Sequence, residues 1–247
     1  MDRAKFGTVA HARIDILNPV SDRSLAKMAG RLRLGTRSRV LDVGCGRGEW
    51  LVRLLEGGGG RGVGIDRSAM LIDDAWSRAR ARLSAGRAAF HVADARQFPL
   101  APRSFDVAIC LGATHALGGR EEALRILRRV VRPTGRVVIG EGYWKRPPPP
   151  EYLHLLEATS DEFGDDASNV RAGQRAGLTL EAEHRSTPAQ WDAYEGSYAA
   201  GVRRYLADHP EDGDASEMRD RIDRWEAGYR RWGRTTLGFG VYLFRAI

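Results

Sequence analysis

The residues best suited to bind a ligand lie in one short stretch: Asp42, Gly44, Gly46 and Gly48. Glycines let a turn bring its backbone close to a ligand, and the N–H groups at the start of a following helix attract the ligand's polar end. A dinucleotide-binding turn reads G-x-G-x-x-G/A, but here Glu49 stands where the third small residue belongs. The stretch therefore predicts a ligand-binding turn and disfavours NAD.

Other residues that could do chemistry are expected at the ends of later strands: Asp66, Asp94, His115 and Glu141. Ligands of open α/β folds bind outside the carboxyl ends of the strands. His115 could take a proton from a reacting group, or it could cap the next helix. Glu141 could orient or deprotonate the same group, or it could pair with a neighbouring arginine. Both are candidate catalytic residues.

Hydrophobic periodicity predicts strands and helices that alternate from residue 21 to residue 140. Ser21 is expected to cap the first helix, and Gly35 to end it. Strands are predicted at 39–43, 62–66, 88–93, 106–111 and 136–140, and helices after Gly48, at 68–83 and at 120–131. Such alternation is typical of βαβ units in a parallel sheet that is covered on both faces.

The composition changes beyond residue 143. The four prolines 147–150 predict a stiff spacer before a helix that carries Tyr152. Further strands are predicted at 178–184 and 239–244. Two amphipathic stripes lie between these strands, one from Trp191 to Tyr205 and one from Met218 to Trp232. They predict two helices packed over the sheet.

With these elements in order, residues 38–141 resemble the class I S-adenosylmethionine-dependent methyltransferases. The glycine turn matches the family's first motif, which holds the methionine part of the cofactor, while Asp42 matches the acid that helps to fix its ammonium group. Asp66 matches the acid that accepts both ribose hydroxyls, as suits a carboxylate with two acceptor oxygens. Asp94 and Ala95 match the pair at the adenine edge.

The resemblance also places Arg67 and Met70 beside the adenine, and it extends through the fourth motif at 105–112 and the fifth strand. It implies these residues for binding S-adenosyl-L-methionine: Asp42, Gly44, Cys45, Gly46, Gly48, Asp66, Arg67, Met70, Asp94, Ala95, Leu111 and Gly112. The segments 112–116 and 141–144 further resemble a group of bacterial small-molecule methyltransferases.

The fold implied is α/β, a Rossmann-like, doubly wound sheet of seven strands with the last strand antiparallel. We interpret residues 1–247 as a single class I methyltransferase domain. Residues 36–144 would be its cofactor-binding core and 1–35 an N-terminal cap. The helical insertions 145–177 and 187–236 would lie over the active site and form the acceptor pocket.

The segment 111–114 reads Leu-Gly-Ala-Thr, which differs from the Asn/Asp-Pro-Pro-aromatic pattern of enzymes that methylate DNA bases or glutamine amides. It also lacks an acid of the kind that a magnesium-dependent catechol O-methyltransferase uses. We therefore expect no metal. The predicted reaction is transfer of the methyl group of S-adenosylmethionine to an O, N or S atom of a small-molecule acceptor.

The net charge of +7 over 247 residues is weak evidence for nucleic-acid binding. All but three of the 39 basic residues are arginines, and they are scattered along the chain as on solvated faces. We expect no specific nucleic-acid partner, although an RNA methyltransferase and a non-catalytic S-adenosylmethionine-binding protein are the alternatives.

Features that the sequence lacks indicate where in the cell the protein is expected. No apolar run approaches the ~18 residues of a membrane span, and no signal peptide is recognisable. The two cysteines, Cys45 and Cys110, have no metal-binding spacing, which suits a reducing compartment. A cytoplasmic protein without a membrane partner is expected.

Overall fold

A computed structural model describes residues 3–247, which form two compact units. We call them the sheet unit and the helical unit. The sheet unit comprises Ser21–Gly142, Asp166–Arg185 and Phe239–Ile247. The helical unit comprises the described residues through Val20, together with Tyr143–Asp165 and Ser186–Gly238. Within residues 3–247, no helix has both the length and the apolar character needed to cross a membrane.

The strands found among residues 3–247 form one seven-stranded sheet in the order β3-β2-β1-β4-β5-β7-β6. They are β1 (Arg39–Val43), β2 (Arg61–Asp66), β3 (Ala88–Val92), β4 (Phe105–Leu111), β5 (Val131–Trp144), β6 (Leu178–Arg185) and β7 (Leu237–Ala246). The pairs from β3 to β5 are parallel, and β7 is antiparallel to β6. The predicted doubly wound sheet with an antiparallel last strand is confirmed.

The helices of the described chain follow the predicted order, with three additions, α1, α7 and α10. They are α1 (Arg3–Ala10), α2 (Asp22–Leu32), α3 (Glu49–Gly58), α4 (Ala69–Arg82), α5 (Arg120–Val130), α6 (Pro150–Leu156), α7 (Asp166–Arg175), α8 (Pro188–Asp208), α9 (Ala215–Gly228) and α10 (Arg234–Thr236). A 3₁₀ turn, Thr114–Leu117, follows β4, and a π-helical turn, Tyr229–Gly233, follows α9.

Local chemistry sets the ends of these helices. The Ser21 side chain accepts a hydrogen bond from the Ser24 N–H, as predicted for a cap. The prediction that Gly35 ends α2 is wrong, because the helix ends at Leu32 and Arg33 takes the left-handed conformation with φ 51°. Pro150 is the first residue of α6 and not part of a spacer, since a proline at that position sacrifices no helical hydrogen bond.

Each unit has its own apolar core. The core of the sheet unit joins β1, β4 and β5 to α5 and α7 through buried side chains such as Leu41, Ile139 and Leu127. In the helical unit, α1, α8 and α9 bury one another through Phe6, Val202 and Met218 among others. The two predicted amphipathic stripes are therefore helices, and they share a core with α1.

A buried carboxylate, Glu49, ties α3 to α4 in the sheet unit. It is only 3% exposed. Its Oε1 accepts a hydrogen bond from Arg53, and its Oε2 accepts one from each of Arg78 and Arg82 at 2.7 Å. Burial disfavours the charged form of Glu49, but the three guanidinium groups outweigh burial and hold its pKa below 4.5.

Candidate active site

The glycine turn that joins β1 to α3 is built from left-handed backbone. Gly44, Gly46 and Gly48 have φ of 67°, 52° and 65°. The N–H groups of Gly44 and Cys45 both donate to the Ile65 carbonyl, at 2.8 and 3.0 Å, which fastens the turn to the end of β2. The turn thus has a fixed shape at the carboxyl edge of the sheet.

Phe90 supports this turn from the side of β3. A Cβ at Gly48 would lie 2.6 Å from the Phe90 ring and 2.8 Å from the Cβ of Ala75, so only glycine fits there. Trp76 holds Phe90 by an edge-to-face ring contact at 5.6 Å and by a hydrogen bond to its carbonyl. Sequence reasoning did not single out Phe90, because an aromatic residue in a strand reads as ordinary core.

Asp66 ends β2 with both carboxylate oxygens directed to neighbouring backbone. Its Oδ2 accepts a hydrogen bond from the Gly46 N–H, and its Oδ1 accepts one from the Ser68 N–H, each at 2.9 Å. A carboxylate has about four acceptor positions, so each oxygen can accept one more hydrogen bond. The half-buried Asp66 can therefore bind a ligand that presents two adjacent hydroxyls.

Asp42 is the buried acid of the site. It is 5% exposed and accepts no hydrogen bond from any residue in the described range 3–247. Burial, and then the negative charge of Asp66, raise the pKa of Asp42 to about 8. A buried carboxyl without a partner is costly, and a cationic group on a ligand would remove that cost.

The residues predicted to surround an adenine lie beyond Asp66. Arg67 is exposed, and Met70 in the first turn of α4 is 44% exposed. Asp94, also exposed, caps the turn after β3, since its Oδ1 accepts the Arg96 N–H at 2.9 Å. Ala95 is buried in the core of the sheet unit. The first three can present polar and flexible groups to solvent or to a ligand.

The end of β4 carries a second close turn. Leu111 is the last residue of the strand, and the N–H of Gly112 donates to the Gly140 carbonyl at 2.9 Å. Just beyond, the Thr114 hydroxyl donates to Glu141 Oε2 at 2.6 Å, and both side chains are buried. Glu141 was expected at the end of the fifth strand, but β5 continues to Trp144, so its carboxylate is held inside β5 against the turn that follows β4. Thr114 was missed by sequence reasoning because a lone threonine gives no signal.

His115 has a different environment from Glu141. It is exposed, and it lies in the 3₁₀ turn Thr114–Leu117. Its backbone carbonyl accepts hydrogen bonds from the Gly118 N–H and, at 3.4 Å, from the Arg96 guanidinium. The turn therefore fixes the backbone of His115, while its ring is accessible to solvent.

The environment of the two thiols near the site favours their protonated form. Burial, followed by the charges of Asp42 and Asp66, raises the pKa of Cys45 well above its usual range. Burial, followed by the charges of Asp42 and Glu141, does the same for the pKa of Cys110. Thiolates are the reactive form of cysteine, so this environment disfavours a nucleophilic role for either residue. Across residues 3–247, no group of three metal-ligating side chains is gathered in one place.

Comparison with known proteins agrees with this geometry. The family described as "Methyltransferase domain" matches residues 40–135. The S-adenosylmethionine-dependent methyltransferase from Geobacter sulfurreducens, solved in complex with S-adenosyl-L-homocysteine, shares 30% identity and a TM-score of 0.91 over 98% of each chain. The chain belongs to the S-adenosylmethionine-dependent methyltransferases. The predicted family and the predicted cofactor, S-adenosyl-L-methionine, are confirmed.

Two further relatives of this methyltransferase differ in how much of it they match. The uncharacterized protein YjhP of Escherichia coli K12 is 31% identical over 249 residues, which is the whole of both chains. The 27-O-demethylrifamycin SV methyltransferase of Amycolatopsis mediterranei is 34% identical over 125 residues, about half of each protein. This methyltransferase is thus similar to YjhP throughout and to the Amycolatopsis enzyme over about half its length.

Proposed function

We propose that this methyltransferase acts on a small molecule and transfers the methyl group to an oxygen, nitrogen or sulfur atom, with a hydroxyl oxygen as the first candidate. The observation that carries the proposal is the buried pair of Thr114, in the turn after β4, and Glu141, inside β5. A fixed carboxylate at this edge of the sheet is suited to accept a proton from a hydroxyl. The Amycolatopsis relative is named as a methyltransferase of 27-O-demethylrifamycin SV, which favours oxygen as the accepting atom.

The cofactor is proposed to lie along the carboxyl edge of the sheet unit. Bound S-adenosylmethionine supplies a methyl group that is already activated on a sulfonium. Asp66 would accept the ribose hydroxyls and Asp42 would pair with the ammonium group. The remaining proposed contacts are those of the family motifs: Gly44, Cys45, Gly46, Gly48, Arg67, Met70, Asp94, Ala95, Leu111 and Gly112.

Glu141 is proposed as the base, and Thr114 as the residue that positions it. The Thr114 hydroxyl donates to Oε2 of the carboxylate and the Gly142 N–H donates to Oε1, so both oxygens are held in fixed positions. Because the methyl group is already activated, holding the acceptor in line and excluding water can supply most of the rate. His115 is the second candidate base, since its exposed ring could reach an acceptor from solvent.

The test is a transfer assay with methyl-labelled S-adenosylmethionine. Phenols, alcohols, amines, thiols and total RNA are offered separately to the wild-type protein. We expect label in a small molecule, and label in RNA alone would contradict the proposal. With the acceptor in hand, Glu141→Gln should slow transfer by about 10²–10⁴-fold while S-adenosylhomocysteine affinity is kept.

Variants separate the two candidate bases. Thr114→Val should lower the rate less than Glu141→Gln, because it removes only the group that orients the carboxylate. His115→Ala tests the exposed ring, and Glu122→Gln on the surface of α5 is the matched control that should keep full activity. Full activity in both Glu141→Gln and His115→Ala would refute base catalysis and leave positioning as the source of rate.

A further inference from the structure

The helical unit surrounds one buried acid, Glu195, with aromatic side chains. Glu195 lies on α8 and is 7% exposed. Burial, with a smaller contribution from the charge of Glu195, raises the pKa of four tyrosines of this unit: Tyr152, Tyr194, Tyr198 and Tyr229. Nothing in the proposed methyl-transfer chemistry of the sheet unit uses this acid.

Trp191, one helical turn before Glu195, has an unsatisfied polar atom. Its side chain is 8% exposed, and its Nε1 is buried without a hydrogen-bond partner in the described chain. A buried donor left unpaired destabilises the folded protein, so native proteins rarely keep one. Residues four apart on a helix lie on one face. The free N–H and the acid therefore belong to the same side of α8.

Only one oxygen of Glu195 is used by the protein. Oε2 accepts a hydrogen bond from Trp225 Nε1 at 2.7 Å. Oε1 accepts none from residues 3–247. Burial outweighs the hydrogen bond from Trp225 and raises the pKa of Glu195 to about 7. At neutral pH the carboxyl can therefore accept a hydrogen bond in its ionised form.

The aromatic walls beside Trp191 are held in place. The Tyr229 ring stacks on the Trp191 ring with centroids 6.4 Å apart and planes 25° apart. The Tyr229 hydroxyl donates to Asp192 at 2.7 Å, and Arg234 grips the same carboxylate with two nitrogens, at 2.8 and 2.9 Å. Tyr152, which is 4% exposed, has a hydroxyl with no hydrogen-bond partner within the described part of the chain.

We propose that the helical unit contains a binding site for a planar aromatic molecule that carries a hydroxyl group, with Trp191 and Glu195 as its polar contacts. A hydroxyl is both donor and acceptor. One such group accepts the Trp191 N–H and donates to Glu195 Oε1, so it satisfies both atoms at once. The ring attached to it packs on aromatic faces.

A cationic ligand fits the site less well. Aromatic rings and a carboxylate favour cations. However, an ammonium group has no acceptor atom, so the Trp191 N–H would stay unpaired. A hydroxyl is thus the group that satisfies both Trp191 Nε1 and Glu195 Oε1. Its binding in the helical unit does not depend on the function proposed for the sheet unit.

The test compares three ligands on wild-type protein by calorimetry: 2-naphthol, 2-methoxynaphthalene and benzyltrimethylammonium. The methoxy compound accepts a hydrogen bond but cannot donate one to Glu195. We expect 2-naphthol to bind about 5–10-fold more tightly than the methoxy compound, as for the loss of one hydrogen bond. Equal affinities, no binding of 2-naphthol, or preference for the cation would each overturn the proposal. This series needs no variant.

Two substitutions locate the site. Trp191→Phe keeps a ring but removes the N–H, and Glu195→Gln keeps an acceptor for Trp225. Each substitution should lower the affinity for 2-naphthol about 5–10-fold. Tyr205→Phe is the control on the same helix, α8. It removes a hydroxyl that donates to Asp212, and it should leave the affinity for 2-naphthol unchanged. If neither Trp191→Phe nor Glu195→Gln changes the affinity for 2-naphthol, the ligand does not contact these two side chains. The proposal is then overturned, and a buried water alone satisfies the two atoms.

Discussion

The affinity for S-adenosylhomocysteine is expected to rise about tenfold between pH 6 and pH 7 because of Asp42. In the free protein this carboxyl is buried, has no hydrogen-bond partner in the described chain, and has a pKa of about 8. It is therefore mostly protonated at pH 6 to 7. If it pairs with the ligand's ammonium group, it must lose that proton on binding, and the lost proton makes affinity depend on pH.

The size of the effect follows from the pKa. Where the ligand requires the ionised acid, the apparent dissociation constant is multiplied by 1 + 10^(8 − pH). The factor falls from about 100 at pH 6 to about 11 at pH 7, or about 1.4 kcal/mol per pH unit. An ordinary α-amino group has a pKa of ~7.7–8.0, so the ligand remains largely cationic over this range.

The assay is calorimetry at pH 6.0, 6.5 and 7.0 with two ligands and two proteins. 5′-Methylthioadenosine lacks the amino-acid part of the cofactor, so its affinity should change little with pH. Asp42→Asn keeps the shape of the side chain but cannot ionise, so S-adenosylhomocysteine should bind to it weakly and with a flat profile. A flat profile in the wild type, or an unchanged slope in Asp42→Asn, would refute the pairing of Asp42 with the ammonium group.

Three further outcomes test the sheet unit. Asp66→Ala should weaken the binding of S-adenosylhomocysteine, measured by calorimetry, by about 1.5–3 kcal/mol, as expected for lost hydrogen bonds to a charged group. Unchanged affinity would show that Asp66 does not bind the ribose. Gly48→Ala should lower the free energy of unfolding, measured with denaturant, by about 2–4 kcal/mol, because left-handed backbone and the close Phe90 ring each penalise a Cβ. The control Gly57→Ala, in open space on α3, should raise the free energy of unfolding. Glu49→Gln should lower the free energy of unfolding by about 1.5–3 kcal/mol above pH 4.5. The difference from wild type should shrink at lower pH, because a carboxyl with a lowered pKa loses its stabilising contribution as it is protonated. A difference that stays constant with pH would contradict this prediction.

Local patterns were sufficient for much of the sheet unit. The strand 39–43 was predicted with the bounds it has, since an apolar run that ends in a glycine turn is visible without tertiary information. By contrast, α7 was missed because the buried residues of this helix, Asn169, Ala172 and Gly173, are polar or small. Asn169 is fully buried there, donates to the Gly142 carbonyl and the Tyr242 hydroxyl, and accepts from Arg120. A helix held by such bonds has no hydrophobic period to detect.

The site shows the same division. The acid at the end of β2 could be predicted from a motif, because its role depends on a strand end and two neighbouring N–H groups. The pairing of Thr114 with Glu141 depends on the register of β4 and β5, in which Leu111 lies beside Gly140. Likewise, the unsatisfied N–H of Trp191 is a property of packing. In the sequence, an aromatic stripe is typical of core packing. The unpaired donor becomes visible only when the hydrogen-bond partners of every buried polar atom are known.

The position of β7 constrains how the chain can be made. In the sheet β7 lies between β5 and β6, yet it follows both in sequence, β6 by about fifty residues. During synthesis the ribosome therefore releases β5 and β6 long before the strand that joins them. Until β7 is available, β5 has one unpaired edge and β6 has no partner in the sheet, and unpaired strand edges favour pairing with other chains. The last ten residues of the sheet, Leu237–Ala246, thus complete the pairing of strands made much earlier.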